Sequence, residues 1–178
     1  MDETPAGRLV TALARYTAMA GGAVMIAITA TTVISIAGRL LIPFGLSPIP
    51  GDFEIVQAGM LFAIFSFLPW CHLERGHAIV AVLTDRFPVR VNAVLEFVWD
   101  VVMLLAALFI TWRLWFGMLD KLGNRESTFI LRFPLWISYA TGVFGALIFI
   151  LVALYCVMRS GRNATSPNPT RPASEVAE

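Results

Sequence analysis

Four long apolar runs, separated by polar stretches rich in proline, glycine and charge, set the pattern of this chain. They cover about residues 17–37, 55–71, 97–119 and 135–158. Each has roughly the 17 to 25 residues that an α-helix needs to cross a hydrocarbon core ~30 Å thick. The predicted fold class is therefore all-α and membrane-integral, with four transmembrane helices. A fifth apolar run, Ala78–Leu83, stops after six residues at Thr84-Asp85-Arg86. As a helix it would reach only about 9 Å. Residues 78–87 are thus predicted to form a short arm helix at the membrane surface after the second span.

The polar stretches complete the plan. Residues 1–16 read as a short polar lead carrying Arg8 and Arg15, which can be helical from Gly7, and residues 159–178 as a Pro/Ser-rich, disordered tail. The first apolar run is longer than the 7–15 residues usual for a cleaved signal's apolar region, so it is read as a retained span. Residues 40–53 hold three prolines and two glycines and predict an extended loop. Residues 120–134 form a polar connection with Lys121, Arg125, Glu126 and Arg132. Pro69, near the end of the second run, predicts a kink or an exit.

Polar groups inside the runs are few, and their spacing is informative. Thr31, Ser35 and Gly38 fall at i, i+4 and i+7 and share one helical face. Small and hydroxyl residues on such a face allow close helix approach, which makes it a candidate contact surface. Asn92, Glu96 and Asp100 recur every four residues and form a polar stripe entering the third span from one side. Asp52 and Glu54 stand at the start of the second span, where carboxylates favour the positive end of the helix dipole. Glu54, with Gln57 three residues on, also suits contact with a partner helix.

Basic residues orient the bundle. With four spans both termini share one side. That side holds eight arginines: Arg8, Arg15, Arg75, Arg86, Arg90, Arg159, Arg162 and Arg171. The other side holds four basic residues: Arg39, Lys121, Arg125 and Arg132. The excess predicts cytoplasmic termini. Trp70 and Trp99 then fall at cytoplasmic ends, and Trp112, Trp115 and Trp136 at the outer boundary, as interfacial belts require.

Composition narrows the chemistry. The chain of 178 residues is 58% hydrophobic and only 14% charged, far from the balance of a soluble domain. A net charge of +1 and the lack of a basic run give no support for nucleic-acid binding. Cys71 and Cys156 lie near the ends of different spans and are read as small apolar fillers rather than a disulfide. Cys71, His72 and His77 nominally offer three metal ligands, but C-H-x4-H matches no strong zinc pattern. Both histidines are read as lying in one corner outside the spans, unsuited to axial ligation of haem within the bundle. Glu96 and Asp100 invite comparison with a proton relay. Both lie within about two helical turns of the surface, where water or a basic partner satisfies them. No phosphate loop or nucleophile elbow is present. No catalytic residue, cofactor site or metal site is assigned, and the chain reads as an accessory membrane subunit whose task is packing.

The centre of the chain adds a resemblance. Glu54 before an apolar helix, the corner Arg75-Gly76-His77, and then Val80, Leu83, Asp85, Arg86 and Pro88 follow the order found in one transporter family. Phe133-Pro134-Leu135-Trp136-Ile137-Ser138-Tyr139 matches that family's P-L-W-hydrophobic-x-Y segment before the last span. The chain thus resembles, over about residues 10–158, the DctQ-like small membrane subunit of tripartite ATP-independent periplasmic (TRAP) transporters. Ile79 and Ala81 depart from the pattern, standing where the family often has arginine and aspartate.

The resemblance implies a bacterial inner-membrane complex for ion-gradient-driven uptake, commonly of organic acids. Its other members are a large multi-span transport subunit and a periplasmic solute-binding protein, and this subunit braces the large one among the membrane lipids. Glu54, Arg75, Gly76, His77, Asp85, Arg86, Pro88 and Trp136 become candidate contact or structural residues, beside Thr31, Ser35, Gly38, Glu96 and Asp100. The competing readings are a membrane anchor of a redox enzyme and a small homo-oligomeric channel. Neither has a supporting motif.

Overall fold

The computed structural model describes residues 5–74 and 89–165, and among these it holds four long helices and no strand. They are α1 (Pro5–Leu40), α2 (Asp52–Leu73), α3 (Val89–Gly123) and α4 (Leu135–Thr165). All four are long and apolar enough to cross a membrane. The predicted arm falls within residues 75–88, and most of the predicted tail within 166–178; both lie outside the described residues.

The helices overrun the predicted spans. α1 has 36 residues and α3 has 35, so each extends over 50 Å at ~1.5 Å per residue, against a core of ~30 Å. The cause is local. Between Pro5, which suits a first helical turn, and Thr17 only Gly7 disfavours a helix, while alanine and leucine favour one. The predicted polar lead is thus largely the first turns of α1. At the other end of the chain α4 continues past Met158 to Thr165. α2 likewise runs through Pro69 to Leu73, so that proline marks no exit.

The helices stand in the spatial order α1–α2–α4–α3, because α4 packs broadly on α3 and on α2, and α2 on α1. α4 is the central element: half of its most apolar stretch is buried, against 17% for each of the others. Its small residues explain this. A side chain at Gly145 would bring its Cβ within 2.8 Å of the Phe65 Cβ and 3.0 Å of the Phe65 backbone, so α2 and α4 approach to near contact only because the position is glycine. At the end that carries the termini, Ala14 of α1 meets Ile148, Val152 and Cys156 of α4 in a buried core, flanked by Trp70 and Leu73 of α2. The two loops 41–51 and 124–134 lie together at the opposite end, hereafter the loop end.

Candidate functional site

Polar side chains gather at both ends of the bundle, and each end uses a different device. At the loop end the carboxylates of α2's first turn act as hydrogen-bond hubs. Asp52 Oδ2 accepts from the Ser35 hydroxyl of α1 and, at 3.0 Å, from Arg39 Nη2, while Oδ1 accepts from the Phe53 N–H at 2.8 Å. Glu54 reaches across to the loop between α3 and α4. Its two oxygens accept the N–H groups of Ile130 and Leu131, each at 2.9 Å. Two adjacent backbone donors in a turn form a concave anion site, here filled by the chain's own carboxylate.

That loop is tightly built. The Leu135 N–H donates to the Glu126 carbonyl at 3.0 Å and the Thr128 N–H to the Phe133 carbonyl at 2.9 Å. Lys121 Nζ donates to Glu126 Oε1 at 2.9 Å. Arg125 and Arg132 both adopt left-handed backbone, with φ of 49° and 52°. On the α1–α2 side Gly51, at φ 76°, leads directly into α2. A Cβ there would strike Leu131 at 2.6 Å, so this glycine both makes the turn and admits the neighbouring loop. Beneath the loops lies an apolar groove of about 740 Å³, bounded by Val24 and Ile28 of α1, Met60 and Ile64 of α2, and Leu114 and Tyr139.

At the termini end the device is a buried contact between ionisable side chains. His72, in the last turn of α2, lies with Nε2 3.7 Å from Asp100 Oδ1 of α3. Their exposures are 2% and 0%. The Phe149 ring of α4 meets the imidazole edge-on, with centroids 5.7 Å apart. Three helices therefore converge on one histidine. A side chain so placed is electrostatically costly unless its neighbours hold it.

These positions revise several sequence readings. Thr31, Ser35 and Gly38 form a candidate contact face. Ser35 and Gly38 instead point inward: Ser35 is fully buried against Asp52, and a Cβ at Gly38 would come within 2.6 Å of the Ser47 carbonyl oxygen. Thr31 lies nearer the surface and donates to its own helix at the Ala27 carbonyl. The stripe of the third span also turns inward at Asn92 and Asp100, while Glu96 is half-buried. Glu54 serves the α3–α4 loop within the subunit. Trp136 is 37% exposed near the loop base.

His72 is the residue that sequence reasoning missed. It was assigned to a corner outside the spans, whereas it closes α2 inside the bundle. The available signal was depth: His72 ends one span and Asp100 begins the next on the same side. Arg75, Gly76, His77, Asp85, Arg86 and Pro88 lie outside the described residues.

Neither curated proteins nor solved structures yield a match to this chain. A family profile does: that of the DctQ component of tripartite ATP-independent periplasmic transporters matches residues 28–163, from the last third of α1 through nearly all of α4. Four membrane-length helices, polar groups spent on holding helices and loops together, and this match lead to one conclusion: the chain belongs to the DctQ family of TRAP transporter components.

Proposed function

We propose that this protein is the non-catalytic small subunit of a TRAP-type secondary transporter in a bacterial inner membrane, with both termini cytoplasmic. It braces a large multi-span transport subunit, which carries a solute inward on an ion gradient after a periplasmic binding protein delivers it. An organic acid is the expected solute class. The single observation that carries this reading is the family match across residues 28–163. The physical character of the chain supports it, since its polar side chains go into internal bracing. The eight-to-four distribution of basic residues supports the orientation.

Of the candidate contact residues among those described, Trp136 is exposed and Thr31 partly so, and these two serve as contacts with the large subunit. Ser35, Gly38, Glu54 and Asp100 act through the subunit's own packing. Arg75, Gly76, His77, Asp85, Arg86 and Pro88 form the corner and arm that hold the subunit at the cytoplasmic surface, and Glu96 accompanies them there.

The test is affinity purification of the tagged chain from its native membrane in mild detergent. A stoichiometric companion of about a dozen spans is expected. Recovery with a haem or flavin enzyme, or as a homo-oligomer alone, would overturn the proposal.

A further inference from the structure

The loop end carries an exposed tip with apolar and cationic side chains. Phe129 is 100% exposed and Ile130 61%. Arg125 and Arg132 flank them. The other charged side chains of this end make contacts within the subunit. Asp52 is taken by Ser35 and Arg39, and Glu54 by two loop amides. Lys121 holds Glu126 and lies 3.6 Å from Asp120. The guanidinium groups of Arg125 and Arg132 make neither an ion pair nor a hydrogen bond among the described residues. The charges that the tip leaves without a partner among the described residues are therefore two cations, and they bracket an apolar pair.

The tip is also pre-formed and close to the bilayer. The Glu126–Leu135 and Thr128–Phe133 backbone bonds close the loop from below, leaving 129–132 as its turn. The two Glu54 contacts at Ile130 and Leu131 fix that turn against α2. A rigid apolar tip loses little conformational freedom on docking. Trp136 is the second residue of α4, so on this helix the interfacial belt falls at the base of the loop. Side chains only a few residues above that belt lie at the level of lipid headgroups.

We infer that the 125–132 tip is a lipid-anchoring site. Phe129 and Ile130 insert at the boundary of headgroup and acyl chain, and Arg125 and Arg132 bind the phosphates of anionic phospholipids. Arginine suits this role because its planar fork donates two hydrogen bonds to one phosphate. Apolar insertion and cationic attraction act together, as in interfacial segments generally. The inference concerns the isolated chain in its membrane and is independent of any transport complex.

The experiment replaces Phe129 with the photoreactive p-benzoylphenylalanine in the full chain. The protein is irradiated in nanodiscs of phosphatidylcholine and phosphatidylglycerol in equal parts, and in native membranes. Mass spectrometry of the adducts should show phospholipid, enriched in phosphatidylglycerol over the bulk ratio. Arg125→Gln with Arg132→Gln should reduce that enrichment on the order of tenfold, and the paired lysine variant should retain most of it. Thermal unfolding of both variants should match the parent, since both side chains are exposed. Absence of lipid adducts, adducts to another protein in native membranes in place of lipid, or enrichment indifferent to the glutamine pair would each overturn the inference. Because nanodiscs contain this chain alone, its failure leaves the transporter-subunit reading untouched.

Discussion

The two ends of the bundle solve the same problem, holding separate helices in register, by opposite means. At the loop end, carboxylates beside water gather backbone and side-chain donors, joining α1 to α2 and tying the 124–134 loop to α2, which it does not adjoin in sequence. At the termini end, a histidine and an aspartate meet inside the packed helices beside Phe149. Water substitutes for a lost partner at the first end but reaches the second poorly. Perturbation should therefore be local and mild at the loops, and global at the buried pair.

The largest effect is expected from Asp100→Leu. Removing one member of a buried pair takes from the other the group that faces it, at a cost of about 3–5 kcal/mol. Replacing both, with His72→Leu added, should recover a large part of that loss, because neither member of the pair is then left facing an apolar side chain. Unfolding titrations in mild detergent would show it. If the double variant is as unstable as the sum of the single ones, the two side chains act independently and the contrast between the ends fails.

Next comes the seam that joins the ends. Gly145→Val should cost about 1–3 kcal/mol, because the added atoms meet the Phe65 backbone, which cannot swing aside. Gly22→Val is the control, since a Cβ there meets nothing within 4 Å. Both exchanges alter helix propensity alike. A difference in unfolding midpoint between them therefore reports packing, and equal midpoints would mean that the α2–α4 approach has slack.

Which parts of this architecture were legible beforehand follows from the range of the forces involved. The four helices were legible because apolar length against bilayer thickness is a local property, and the family resemblance was legible in the order of short motifs. Helix ends were not: α4 continues past Met158 to Thr165, because a helix runs on wherever nothing stops it. The facing of Ser35 and Asp100 was also hidden. A polar stripe on one helix shows which residues share a face, but not whether that face meets a neighbour or lipid. Glu54 is the sharpest case: its partners, the amides of Ile130 and Leu131, are backbone groups distant in sequence and leave no side-chain signature. His72 was hidden by its position at a helix end, where burial depends on how the next helix returns.

At the loop end Glu54→Gln should act on the loop alone. An amide side chain presents one accepting oxygen where the carboxylate presents two, so one of the two N–H contacts is lost. Hydrogen exchange at Ile130 and Leu131 should quicken, while the helices stay protected and the unfolding midpoint moves much less than for Asp100→Leu. Faster exchange spreading into α2 and α4 would mean that the loop end also sets helix registry.

The smallest effect separates two partners of one carboxylate. Asp52 accepts from Ser35, which is fully buried, and from Arg39, whose side chain is 59% exposed. Water and salt screen the arginine and stand in for it when it is removed. Arg39→Gln should therefore leave the unfolding midpoint nearly unchanged at physiological ionic strength, with any small difference vanishing as salt is raised. Ser35→Ala should do more despite removing no charge, because the hydroxyl donates from a site that water does not reach, and its loss leaves Asp52 one donor short on the buried side. If the order is reversed, with the arginine variant the weaker and its defect salt-dependent, then Asp52 is held by charge across the surface, and the loop end owes less to its buried hydroxyl than the geometry implies.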